Sequence, residues 1–305
     1  MHKLGLFILF AFALHVSHGY AQDTLKTEAL FDENNLLKHV ESLSSDVFEG
    51  RRTGTQGAVK AKKYIINQLQ TLKVEPLGET FEQPFSFFKN MKSYDAVNVL
   101  GVIEGSEYPE KHIVISAHYD HEGIKKKKIY NGADDNASGV SALFAFAEYF
   151  RKYPPKHTVI LAAFDAEELG LKGSEYFVNH PIMSSKDMVL NINMDMISRS
   201  EKKELFVIGT SENKMLKPLI TDYMHSNNIK LIAGHDGFDG LENWTYASDH
   251  ANFQRKGIPF LYFGVEDHKD YHKPTDDYDN IHPEFYIEAV KTIISVFEKI
   301  DKTEI

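Results

Sequence analysis

The chain has 305 residues, with 44 acidic against 34 basic side chains and a formal charge of -10, a balance that argues against a general binder of phosphate backbones. It has no cysteine, which excludes disulfides, thiolate metal sites and a lipidated N-terminal cysteine. Stability must come from an apolar core, or from ions held by nitrogen and oxygen. No internal repeat, low-complexity tract or Pro/Gly linker divides the sequence.

Residues 1–21 have a basic start (His2, Lys3), an apolar run from Leu4 to Leu14 and small residues at Gly19 and Ala21. This is the pattern of a secretory signal peptide cleaved after Ala21, and the run is short for a membrane span. The expectation is an exported protein, secreted or periplasmic, with residues 22–305 as one domain and no membrane span. From Asn34 to Leu72 apolar residues recur at helical spacing, interrupted by a glycine-marked loop, FEGRRTGTQG, at 48–57. Arg51 and Arg52 in that loop are read as caps of neighbouring carbonyls rather than as a cleft lining. Strands are predicted around Phe81–Phe88 and Ala96–Ile103.

IVISAHYD, from Ile113 to Asp120, reads as a buried strand ending in His118, Tyr119 and Asp120, and two-residue alternation puts His118 and Asp120 on one face. A polar loop follows, with Lys125–Lys128 as a solvated tip, and then GADDNASG leads into a helix at Val140–Arg151. Three more apolar strands end in polar chemistry. Thr158–Phe164 runs into Asp165, Glu167 and Glu168, Met188–Met194 into Asp195, and Ile258–Val265 into EDHKDYHKPTDDYDN. Helices are predicted at Ser211–Ser226 and Pro283–Lys299. Alternating strands and helices imply a three-layer α/β/α fold with a mixed, largely parallel central sheet, whose ligands sit outside the carboxyl ends of the strands.

Four such strand ends bring candidate metal ligands together: His118, Asp135, Glu168, Asp195 and a histidine in the segment 268–272. Taken singly, the same residues also fit a His–Asp hydrogen bond and a helix N-cap. Asp134 competes with Asp135, and His268 with His272. A helix-borne HExxH motif is absent. The dispersed spacing suits two divalent ions sharing one carboxylate, because crowded carboxylates repel and take up protons unless cations neutralise them. Glu167 and Glu168 are adjacent, so their side chains diverge; one can bind a metal while the other works as a general base. The glycine-rich HDGFDG at 235–240 is read as a turn, and Asp249 and His250 as buried supports.

AHYDH, GADDNASG, FDAEELGLKGSEYF, NINMDMI, SDHANF and DYHKPTDDYDNI occur in this order, and with FEGRRTGTQG the set resembles the zinc-dependent exopeptidases that include bacterial secreted leucyl aminopeptidases. The likeness spans about residues 35–300, in a superfamily that also holds glutamate carboxypeptidase, glutaminyl cyclases and the transferrin receptor ectodomain. It implies a zinc-peptidase domain binding two zinc ions per chain and removing N-terminal residues from peptides with a free amine by means of a zinc-bridged hydroxide. His118 and Asp195 resemble the ligands of one zinc, Glu168 and His272 those of the other, and Asp135 the bridging carboxylate. Glu167 resembles the general acid/base, Asp120 the acid that orients His118, and Tyr271 a donor to the oxyanion. Glutaminyl cyclisation and a non-catalytic binding role are the alternatives that the same superfamily offers.

Overall fold

Runs of branched and aromatic residues, fully buried on both sides, build the centre of the molecule. The structure, a computed structural model, describes residues 29–211, 213, 215–221, 229–237 and 239–303. The expected signal peptide, residues 1–21, lies outside the described residues.

The chain begins with helix α1 (Glu33–Leu43), whose first amides are capped by the Asp32 carboxylate, and α2 (Gln56–Thr71), capped by Thr55. Strands β1 (Glu75–Pro76), β2 (Glu82–Lys89), β3 (Lys92–Ile103) and β4 (Tyr108–His118) follow, then a small hairpin of β5 (Gly123–Lys125) and β6 (Lys128–Tyr130). An irregular turn over 133–138 leads into α3 (Gly139–Lys152), β7 (His157–Phe164), α4 (Lys172–Asn179) and β8 (Met188–Met194). Beyond it lie β9 (Glu204–Ile208), α5 (Lys217–Thr221), β10 (Lys230–Ala233), α6 (His250–Arg255), β11 (Phe260–Gly264) and α7 (Pro283–Asp301). Nine of these strands form one sheet in the order β1-β3-β7-β4-β8-β11-β9-β10, with β2 paired to β3. The four middle strands, β7, β4, β8 and β11, are mutually parallel, and antiparallel pairs flank them on either side.

Strand alternation sorts the core into two layers. Ile113, Ile115 and Ala117 of β4 and Val159, Leu161 and Ala163 of β7 pack with α1, α2, α3 and α7, while Val114, Ile160, Ala162 and Phe164 meet α4 and α6. The three-layer α/β/α expectation is therefore what the chain adopts. The basic run Lys125–Lys128, expected as a loop tip, is the turn of the β5–β6 hairpin and is exposed. The helix expected at 211–226 is seen as Lys217–Thr221, and residues 222–228 lie outside the described residues. Strands β9 and β10 were not expected. No helix among the described residues is long and apolar enough to cross a membrane.

Candidate metal centre

The four parallel strands end side by side, and their exits carry the titratable groups. His118 is the last residue of β4, and Asp195 directly follows β8. Glu167 and Glu168 lie in the turn after β7, and His272 lies in the segment after β11. Asp135 comes from the 133–138 turn, which is stapled in place from three sides. Asn136 donates to the carbonyl of Met194 (2.9 Å) and accepts from the amide of Gly139 (2.9 Å), while the Asp276 carboxylate receives the amides of Asp134 (3.0 Å) and Asp135 (3.1 Å).

The Asp135 carboxylate is the junction of the cluster. Its Oδ1 lies 3.3 Å from His118 Nε2, which is also 3.2 Å from Asp195 Oδ1. Its Oδ2 lies 3.1 Å from His272 Nε2, and that nitrogen is 3.4 Å from Glu168 Oε2. All five residues expected to bind metal are thus brought together. Asp134, the competing acid, faces away: its Oδ1 accepts from the amide and hydroxyl of Ser198 (2.7 Å each), and its Oδ2 lies 3.2 Å from His268. That pairing removes both competitors, Asp134 and His268, from the cluster.

Two features differ from expectation. The imidazole of His118 meets the backbone carbonyl of Asp120 through Nδ1 (3.1 Å), whereas the Asp120 carboxylate is 3.7 Å away. That carboxylate instead receives the amides of Glu167 (3.0 Å) and Glu168 (3.3 Å), so Asp120 holds the turn bearing both glutamates. The second is His121, which sequence reasoning passed over. It is fully buried, and its Nδ1 lies 2.9 Å from Glu168 Oε1 and 3.5 Å from Asp135 Oδ2. Strand parity would have turned it away from His118, but β4 ends at His118 and parity lapses there.

The electrostatics are those of a crowded anionic site. Burial would raise the Asp135 carboxyl, yet His121, His118 and His272 outweigh it and hold the group well below the usual range. Burial and Asp135 would likewise raise Glu168, but His121 and His272 bring it down to about 2. His272 is lowered by burial and raised more strongly by Asp135 and Glu168, ending at about 10. Glu167 goes the other way: burial, with Asp195, Asp249 and Glu168 nearby, pushes it well above the ordinary value against the pull of His118. Protonated imidazoles here balance charge that a divalent cation would balance in their place.

The donor set fits zinc-type ions: imidazole nitrogen and carboxylate oxygen, with no sulfur. One group is His118, Asp135 and Asp195; a second is His121, Asp135 and Glu168; the donor atoms in each lie within 4.8 Å of one another. The fit also rests on the close buried approach of two potential donors, His121 Nδ1 and Glu168 Oε1, which face each other across 2.9 Å.

His118, Asp135, Glu167 and Asp195 open into a cavity of about 180 Å³. Trp244, Tyr262, Val265 and Met196 supply apolar wall, Glu242 and Asp267 supply acid, and Tyr271 lines it with its ring stacked on His272 (4.0 Å between centres). Trp244 is fixed by stacking on the buried His235 (3.6 Å), which belongs to the expected 235–240 turn. Asp249 and His250 are fully buried behind this wall: Asp249 accepts from Ser174 (2.5 Å), and His250 stacks on Tyr262. The catalytic candidates Glu167 and Tyr271 therefore share the cavity with the metal candidates His118, Asp135, Asp195 and His272, whereas Glu168 and Asp120 do not line it. Trp244 and Tyr262 carried no signal in the sequence that set them apart from core aromatics.

The model of the family described as Peptidase family M28 matches residues 98–297. Among curated proteins the chain is similar to Aminopeptidase YwaD of Bacillus subtilis, 29% identical over 241 residues that cover 74% of this chain and 50% of that protein. It is 26% identical over 182 residues to a probable zinc metalloprotease of Pyrenophora tritici-repentis, covering 56% of this chain and 42% of the other. The chain thus spans about half the length of the curated relatives it matches. Among solved structures it resembles a zinc aminopeptidase from Bacillus subtilis (TM-score 0.69, 17% identity, 90% of this chain and 97% of that one). A glutaminyl cyclase from Porphyromonas gingivalis is equally similar in fold (TM-score 0.69, 16% identity, 88% and 99%).

Proposed function

The chain belongs to Peptidase family M28, and from that premise we propose that it is an aminopeptidase working with two zinc ions. One observation carries the two-metal reading: the two oxygens of the Asp135 carboxylate face two different donor groups, His118 with Asp195 on one side and His272 with Glu168 on the other. A carboxylate so placed would serve two neighbouring ions at once. The names of the relatives, aminopeptidase and zinc metalloprotease, support zinc and peptide substrates. Export rests on the leader pattern of residues 1–21.

Zinc in this centre would supply Lewis acidity toward the scissile carbonyl and make water nucleophilic at neutral pH. The rest falls to the chain's own residues. Glu167, a buried carboxyl with a raised proton affinity that opens into the cavity, takes the proton of the attacking water and passes it to the leaving amine. Asp120 fixes the turn that presents it. Tyr271, which lines the same cavity, donates to the developing oxyanion. Glu242 and Asp267 give the cavity the negative charge that a substrate ammonium group needs, and Trp244, Tyr262 and Val265 offer its side chain an apolar wall.

The test pairs zinc analysis with a panel of free and N-acetylated peptides, including one that begins with glutamine. Two zinc ions per chain, release of N-terminal residues from free peptides and sparing of the acetylated set are the expected results. Equal cleavage of acetylated peptides would remove the aminopeptidase reading. Cyclisation of the glutamine peptide without hydrolysis would put the glutaminyl cyclase reading in its place.

A further inference from the structure

We propose that His121 is a ligand of the second metal, completing a four-donor site with Asp135, Glu168 and His272. The proposal rests on the two-metal reading above and adds a residue to it. The His121 ring is fully buried, and its Nε2 has no hydrogen-bond partner. Its Nδ1 forms an ion pair with Glu168 Oε1 at 2.9 Å, and Oε1 has no other partner. The donor atoms of His121, Asp135 and Glu168 lie within 4.8 Å of one another, so one cation could be shared among them in place of the proton that now joins the pair. Asp135 Oδ2, at 3.5 Å from the same nitrogen, bounds the same point.

The position is built. The ring lies against Gly132, where a Cβ would come within 2.6 Å of His121 Cγ and 2.1 Å of the Asp135 carbonyl oxygen, so any side chain there would displace both residues. The rings of His121 and His272 lie edge to face with centres 5.9 Å apart. Two imidazoles on one tetrahedral zinc, with nitrogens at about 2.0–2.1 Å, have centres roughly 5 Å apart, so closure asks for a shift of about 1 Å or less. Glu122, which also approaches Glu168 and His272, is already engaged by Lys125 and Arg52.

The consequence is an asymmetric centre. Four protein donors would hold the second ion more tightly than the three donors His118, Asp135 and Asp195 would hold the first. The second ion should be the last to leave under a chelator and the first to be reloaded.

The test uses the full chain, stripped and titrated with zinc alone in competition with a chromophoric chelator, as wild type, His121→Ala and His121→Asn. Wild type should bind two ions, with the tighter site lost or weakened more than 100-fold in both variants and the weaker site unchanged. That exceeds the roughly 10- to 100-fold that removing an outer partner costs. The cobalt form should show the same difference in its visible bands. Independently of any variant, cobalt-loaded wild type should display paramagnetically shifted ring N–H signals from three imidazoles; signals from two would overturn the proposal. So would variants that keep both ions at wild-type affinity, or that lose less than tenfold with unchanged cobalt bands. A wild type that binds fewer than two ions would instead sink the two-metal reading, so the two failures are distinct.

Discussion

Glu167 and Glu168 are neighbours in sequence with opposite electrostatic fates. Glu168 is held down to about 2 because His121 and His272 outweigh burial and Asp135, while Glu167 is pushed up by burial among Asp195, Asp249 and Glu168. A carboxylate kept ionised suits a cation, and a carboxyl that holds its proton readily suits proton transfer. Glu167→Gln keeps the shape and the hydrogen-bonding reach of the side chain but removes the titration. Turnover should fall by about 10²- to 10⁴-fold or more, with two zinc ions still bound and KM little changed. Steady-state kinetics with metal analysis on the same preparation checks it, and wild-type turnover in that variant would take the role from Glu167. Asp120 belongs to the same local design, since its carboxylate receives both glutamate amides and sets the angle at which the pair diverges.

Arg51 works between elements. Its guanidinium is fully buried and donates to four carbonyls, those of Leu43 at the end of α1, Tyr119 just past β4, and Asn131 and Gly132 before the Asp135 turn. Burial lowers its pKa to about 10, with Asp135 and Asp276 opposing. Reading it as a cap of carbonyls was within reach of the sequence, but not which carbonyls, because they come from three separate segments. Arg51→Met should cost about 3 kcal/mol or more, since it strands buried acceptors, whereas Arg52→Met, on a half-exposed side chain, should stay within about 0.5 kcal/mol. Urea unfolding of the two variants makes the comparison, and equal losses would show that Arg51 is no keystone. The same distinction marks what was legible. The strand exits bearing His118, Glu168 and Asp195 could be read because long apolar runs fix where a buried strand ends. His121 could not, since past the end of β4 the chain direction is set by tertiary contacts such as Gly132. Strands β9 and β10 are short pieces that extend the sheet beyond β11, and their pattern is no stronger than that of a loop with a few apolar residues.

On the scale of the whole molecule, four parallel strands aim their ends at one rim and load it with carboxylates in a chain of formal charge -10. Without cations the rim depends on protonated imidazoles, and the direction of the pH effect follows from His272. Its folded value, about 10, is raised above the ordinary 6.5 by Asp135 and Glu168 against burial. The contribution is therefore complete below about pH 6.5 and disappears as pH rises through 10. Zinc-loaded protein has no such dependence, because the cation rather than a proton neutralises the carboxylates and the imidazoles are neutral ligands. Chelated protein should thus lose thermal stability progressively between pH 6.5 and 10, and the gap to the zinc-loaded form should widen over the same interval. At a free zinc level a thousandfold above Kd each site adds about 4 kcal/mol, or about 8 kcal/mol for two, so the melting temperatures should already differ by roughly 15 °C near neutrality. Scanning calorimetry of loaded and chelated samples across that range would decide it. Coincident melting curves would mean that the converging carboxylates do not depend on bound cations.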